Sequence, residues 1–255
     1  MVAEPDEPRR EFLREAACVA GAWAASGALP AVAGDAQPHP KALLVDALGT
    51  PLAASRLEPG QAHVFTYPFV ATPAFLFALP AAVAGTMLAD EAHAAYEAPA
   101  GVGPARAIVA FSAICAHKLM YPTPQISFIG LRKGFAGEPA HVIHCCGDQS
   151  RYDPAAGARV IGGPAPQPLA AVLLEWDPRS DRLFAVGTRG GDRFDAFFDK
   201  YAFKLEMDHG RRARTPVGVS TVVKAAAEYL HQYLHLNINY HHHHQYLHLN
   251  INYHN

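Results

Sequence analysis

Residues 107–117 read Ala-Ile-Val-Ala-Phe-Ser-Ala-Ile-Cys-Ala-His, a compact apolar run that delivers a cysteine and a histidine at its end. So short and so continuously apolar a stretch suits a strand buried inside a sheet domain. Further strands are expected downstream at 125–131, 140–143, 169–176 and 182–187, the last two joined by a turn at Asp177-Pro178-Arg179-Ser180. Upstream, residues 65–88 are apolar enough to suggest a spanning helix, but Pro68, Pro73 and Pro80 interrupt them while Phe, Val and Thr recur. They read as core strands. The centre of the chain is therefore expected to be an antiparallel β domain, which makes the protein mainly β.

Composition agrees with that reading. At 255 residues the chain holds one or two domains of about 150 residues each. Hydrophobic residues reach 50% and charged residues only 17%, below the roughly 25% of ordinary soluble domains, so the chain is not of the disordered class. Lys and Arg total 21 against 23 Asp and Glu, a formal charge of -2. No long basic face is available to neutralise phosphates, and nucleic acid is excluded as an expected partner. The 21 prolines and 20 glycines are dispersed, which disfavours a helical bundle. No catalytic triad, carboxylate pair or phosphate loop is visible, so no residue is assigned as catalytic.

Of the four cysteines, Cys18 sits in an apolar N-terminal stretch and reads as a small buried or membrane-facing residue. The other three, Cys115, Cys145 and Cys146, lie among His117, His141 and His144, a concentration that suggests metal before disulfide. Cys115-Ala116-His117 is followed by Cys146, then by Ser150-Arg151-Tyr152-Asp153-Pro154 and by Gly162-Gly163-Pro164-Ala165-Pro166. Over about residues 105–190 this order resembles a Rieske iron-sulfur domain. The resemblance implies two loops clamping a 2Fe-2S cluster, the first supplying Cys-x-His and the second Cys-x-x-His, so that one iron takes two thiolates and the other two imidazoles.

Carried onto this chain, the resemblance makes Cys115, His117 and Cys146 ligands. It puts Gln149 at the position of the second histidine, with His144 as a substitute donor. Ser150 and Tyr152 match the hydroxyls that bond the cluster's sulfurs, and Gly163 and Pro164 the proline-rich loop that covers it. Taking Cys145 as the ligand would put Asp148 at the histidine position, no better a fit, so Cys146 is preferred. Met120 stands where many quinol-oxidising members have a disulfide cysteine, so no disulfide is expected, and Cys145 is left as an extra thiol.

Three segments follow from this: an export signal or membrane anchor over 1–38, a Rieske-like β domain over 39–228, and a tail over 229–255. Near the start, Pro8-Arg9-Arg10-Glu11-Phe12-Leu13-Arg14 precedes an apolar run from Ala16 to Ala33 and resembles a twin-arginine export signal. That implies a periplasmic location or the outer face of a bacterial inner membrane, with membrane association through the N-terminus. In the tail, Gln-Tyr-Leu-His-Leu-Asn-Ile-Asn-Tyr-His occurs at 232–241 and again at 245–254, a perfect duplication that reads as a recent or artificial extension.

The leading expectation is an electron-transfer protein that serves a redox partner or a quinol-oxidising or other oxidoreductase complex and is not an independent catalyst. One alternative is a Rieske-like docking module without a cluster. The other is a zinc domain using Cys115, His117, Cys145 and Cys146. The cluster reading requires the two cysteine-bearing loops to meet.

Overall fold

The computed structural model describes residues 36–229. The export-signal motif and the duplicated tail lie outside the described residues. Fourteen strands follow one another among those described: β1 Gln37–Val45, β2 Ala62–Thr66, β3 Pro73–Ala78, β4 Thr86–Ala89, β5 Ala95–Ala98, β6 Ile108–Ser112, β7 Ile129–Lys133, β8 His141–Cys145, β9 Ser150–Asp153, β10 Arg159–Gly162, β11 Ala171–Asp177, β12 Arg182–Arg189, β13 Ser220–Val222 and β14 Lys224–Ala225. The protein is mainly β. Two short helices, α1 (Phe194–Lys200) and α2 (Ala202–His209), follow β12.

Eight strands form one sheet in the order β13-β1-β12-β11-β6-β3-β2-β14. Its two outermost strands are consecutive in the chain: β13 pairs in parallel with β1, and β14 pairs antiparallel with β2. Val223, between them, donates its N–H to Val45 O at 2.7 Å. The single stretch 220–225 thus occupies both edges of the sheet, where unpaired N–H and C=O groups would otherwise stand open.

The strand at the heart of the sequence reading is β6, and its residues alternate between two cores. Val109 and Phe111, with Phe75 and Phe77 of β3, face one cluster; Ile108 and Ala110, with Leu76, face the other. Both faces are covered, which is why the run is apolar throughout and not alternating. Burying each of these phenylalanines stabilises the fold by about 1.5–3 kcal/mol.

The first cluster is capped by a four-stranded sheet in the order β10-β9-β8-β7. Ile129, Ile143 and Tyr152 of this sheet, all fully buried, share that cluster with Cys115 and Cys145. The strand expected over 125–131 begins only at Ile129. Before it, Ser127 Oγ donates to Ile129 O at 2.7 Å and Thr123 Oγ1 to Ile126 O at 2.8 Å. These hydroxyls hold the backbone in local turns and postpone the ladder.

Candidate metal centre

The centre lies where two hairpin tips meet. The first tip follows β6: Leu119 donates to Cys115 O at 3.0 Å and Cys115 to Met120 O at 2.8 Å, which closes a tight loop with Cys115 at its base. The second tip joins β8 to β9. Cys145 pairs with Ser150 in the ladder, Gln149 donates to Cys145 O at 2.8 Å, and Gln149 takes a φ of 64° to complete the turn.

Strand alternation decides which side chains enter. Ile143 and Cys145 on β8, like Tyr152 on β9, belong to the buried cluster. Their neighbours His144 and Arg151 therefore face the other way. Cys145 is fully buried against Cys115, whereas Cys146, one residue beyond the end of β8, is exposed.

The placement differs from the ligand set drawn from the sequence. Cys145, not Cys146, is the thiol buried beside Cys115, because adjacent residues of an extended chain point to opposite sides. The two adjacent thiols of the zinc alternative thus differ in burial, Cys145 inside and Cys146 exposed. Gln149 is exposed; its Oε1 accepts from His144 Nε2 at 3.2 Å, and its side-chain amide N–H donates to Cys146 O at 3.0 Å. His144 and Gln149 thus partner each other outside the centre.

The residue that enters with Cys145 is Asp148. Its side chain is 1% exposed. Oδ2 lies 3.2 Å from Cys115 Sγ and 3.2 Å from His117 Nδ1, and Oδ1 accepts the Ser150 N–H at 2.9 Å. The ligand atoms of Cys115, Cys145 and Asp148 all fall within 4.8 Å of one another. His117 sits at the rim, its side chain 37% exposed. The sequence reading weighs Cys145 with Asp148 and prefers Cys146 with Gln149. The signal that favours the first pair is the in-out order of Ile143, Cys145, Ser150 and Tyr152 along the hairpin.

The surrounding hydroxyls occupy the positions expected of them. Tyr152 OH is 3.4 Å from Cys115 Sγ and accepts the Ala116 N–H at 3.2 Å. Ser150 is fully buried and its Oγ has no protein partner, which leaves a donor free for an acceptor such as a sulfur atom. Gly163 packs on the backbone of the second tip with a φ of 84°; a Cβ there would lie 2.4 Å from Gln149 O and 2.5 Å from Ser150 Cα. Pro164, next to it, is exposed. The tips also touch directly, since a Cβ on Gly147 would lie 2.0 Å from Met120 Sδ. Met120 Sδ in turn is 4.0 Å from Cys145 Sγ.

Electrostatics favour negative charge on Cys115 and Asp148 and oppose it on Cys145 and Tyr152. A hydrogen bond from Cys145, with further ones from Tyr152 and the His117 N–H, outweighs burial and draws the Cys115 thiol below its ordinary value. The Cys145 thiol is pushed up, first by its hydrogen bond to Cys115 and then by burial. Burial raises Asp148, but the Ser150 N–H and the two thiols more than offset it and bring its carboxyl down to about 2.

On the opposite face of the small sheet, Glu138 joins two guanidinium groups. Arg132 Nη1 and Nη2 reach its carboxylate at 2.7 and 3.1 Å, and Arg151 Nη1 at 2.6 Å. The Arg132 bonds, followed by the Phe135 N–H, hold Glu138 at about 2. This bridge ties β7 to β9 behind the second tip.

No protein-family model matches the chain. Among solved structures, the chain is similar to the soluble domain of the Rieske protein II (soxF) from Sulfolobus acidocaldarius, with 24% identity over 59% of this chain and 78% of that one, at a TM-score of 0.40.

The donor set fits an iron-sulfur cluster in part. Two buried thiols on facing loops, an imidazole at the rim, a phenol at one sulfur and a free buried hydroxyl are what a cluster of that kind uses. Among the described residues, no second imidazole shares this site with Cys115, Cys145 and His117; the carboxylate of Asp148 stands there.

Proposed function

We propose that the domain holds a 2Fe-2S cluster of the Rieske type between its two hairpin tips and transfers single electrons. The observation that carries this reading is the convergence of Cys115, Cys145 and Asp148, with His117 bonded to Asp148 at the rim, in one site whose buried Ser150 hydroxyl lacks a protein partner. Such a cluster, when bound, takes up and returns one electron at a time.

The chain's own residues set the conditions for it. Cys115 and Cys145 supply thiolates from opposite loops, and their burial keeps water from the sulfurs. Tyr152 OH donates toward Cys115, and Ser150 Oγ is free to donate to a sulfide; both stabilise added negative charge. His117, the exposed donor, is the edge at which a redox protein partner would dock. The Arg9-Arg10-Glu11-Phe12-Leu13 motif supports export of the loaded domain to the outer face of a bacterial inner membrane.

Iron and acid-labile sulfide analysis, with low-temperature electron spin resonance of the dithionite-reduced protein, tests the reading. Equimolar iron and sulfide with a rhombic signal is the expected result. Colourless protein with neither overturns it and leaves a docking module. A second reading, a single zinc ion on Cys115, Cys145 and Asp148, is favoured by the short ligand separations: Cys115 Sγ and Asp148 Oδ2 are 3.2 Å apart, and a tetrahedral zinc site has edges of roughly 3.5 Å. Stoichiometric zinc without sulfide would establish it.

A further inference from the structure

We infer that Asp148 is the fourth ligand of the centre, a carboxylate in the place where the resemblance calls for a second imidazole. The inference rests on the cluster reading and replaces Gln149 as its fourth donor.

Backbone geometry comes first. The turn Cys145-Cys146-Gly147-Asp148 is closed by the Gln149 N–H on Cys145 O at 2.8 Å, and Cys146 is anchored by its own N–H on Phe128 O at 2.7 Å. Asp148 Oδ1 then takes the Ser150 N–H, which fixes the side chain and turns Oδ2 toward Cys115 and His117. Cys145-x-x-Asp148 therefore delivers its carboxylate beside Cys115 and His117, at the sequence spacing that the resemblance gives to Cys-x-x-His. Counted from Ser150 and Tyr152, whose side chains share the buried face with Cys145, no other residue of the tip brings a donor inward.

Charge provides the second argument. A carboxylate whose side chain is 1% exposed is costly unless a positive group accompanies it. The one salt-bridge partner of Asp148 among the described residues is His117, itself at the rim. Its other contacts are a backbone N–H and thiols, two of which become anionic when they bind metal. The Ser150 N–H and the Cys115 thiol hold the carboxylate anionic at this point, where a metal bound by the thiols would find it as a ready donor.

The consequence is electronic. A carboxylate ligand adds a negative charge that neutral imidazole lacks, so the reduced centre is penalised and its potential falls below that of a site with two imidazoles. Its electron donors belong among one-electron reductants stronger than quinols, such as reduced flavins or four-cysteine iron-sulfur proteins.

Three variants of the full chain test this: Asp148→Asn, which keeps the acceptor for the Ser150 N–H, Asp148→Ala, and Asp148→His. The readouts are iron and sulfide content, the electron spin resonance of dithionite-reduced protein, and the midpoint potential from a dye-mediated titration. Asp148→Asn and Asp148→Ala should lose most of their iron, by at least about tenfold in affinity, with circular dichroism unchanged for the Asn variant. Asp148→His should keep its iron, shift to a higher potential and change its g values. Full iron with unaltered potential and spectrum in the Asn and His variants overturns the assignment while leaving the cluster reading intact. A parent protein that holds zinc and loses it in Asp148→Asn supports Asp148 as a ligand and overturns the cluster. A parent that holds no metal overturns both.

Discussion

Replacing Gly163 with Ala tests how tightly the covering loop is seated on the second tip. The residue has a φ of 84°, where an L side chain is strained by about 1–2 kcal/mol. An added Cβ would also lie 2.4 Å from Gln149 O and 2.5 Å from Ser150 Cα. Both atoms are backbone, so no side chain can swing away; reaching an ordinary contact of 3.4 Å requires about 1 Å of movement between the loop and the tip. Overpacking of this kind adds about 1–3 kcal/mol. Gly137 provides the control, because its φ is also 84° and nothing lies within 4 Å of its Cβ position. Gly137→Ala should cost only the strain. In a domain of this size each kcal/mol lowers Tm by about 2–4 °C, so Gly163→Ala should melt about 4–8 °C below Gly137→Ala, taking about 2 kcal/mol for the clash. Differential scanning calorimetry measures the gap. Equal melting temperatures for the two variants would refute the idea that the loop rests on the tip's backbone.

Cys145→Ser should abolish iron binding while Cys146→Ser leaves it within experimental error, as metal analysis of the two purified variants will show; the reverse order would restore Cys146 as the ligand. Tyr152→Phe removes the acceptor of the buried Ala116 N–H and should destabilise the domain by about 1–3 kcal/mol in urea titrations, so an unchanged midpoint would mean that water replaces the phenol. Glu138→Gln should lower Tm near neutral pH, and because the folded carboxyl lies below its unfolded value of 4.5, the contribution is complete above that pH and disappears as the pH falls toward 2. A difference between parent and variant that widens in acid would contradict this.

The sequence made the sheet domain legible because its strands carry their burial in their composition. The run at 108–112 is apolar on both faces, and β11 and β12 are separated by a turn whose Asp177 accepts the Arg179 N–H at 3.0 Å. The helices at 194–209 went unnoticed, although Phe194, Phe197, Phe198 and Leu205 recur with helical spacing and are all buried. They are short, and the proline and glycine content had pointed away from helix. At the centre, Cys115, His117, Ser150, Tyr152 and Gly163 were recoverable from their order. The second thiol was not, because Cys145 and Cys146 are chemically identical in a string of letters and differ only in which face of β8 they leave from. Asp148 was set aside for a related reason: matching residue types sought a histidine, whereas the turn that precedes Ser150 decides which side chain enters.

That residues 220–225 lie along both margins of the large sheet bears on how the chain matures. On the ribosome, β1 and β2 are synthesised early, yet the strands that complete their outer sides are among the last described residues to emerge. Until then both margins remain templates for foreign strands, and pairing across so long a separation in sequence is slow. Nascent-chain truncations ending before Ser220 should consequently depend on chaperones far more than those ending after Ala225.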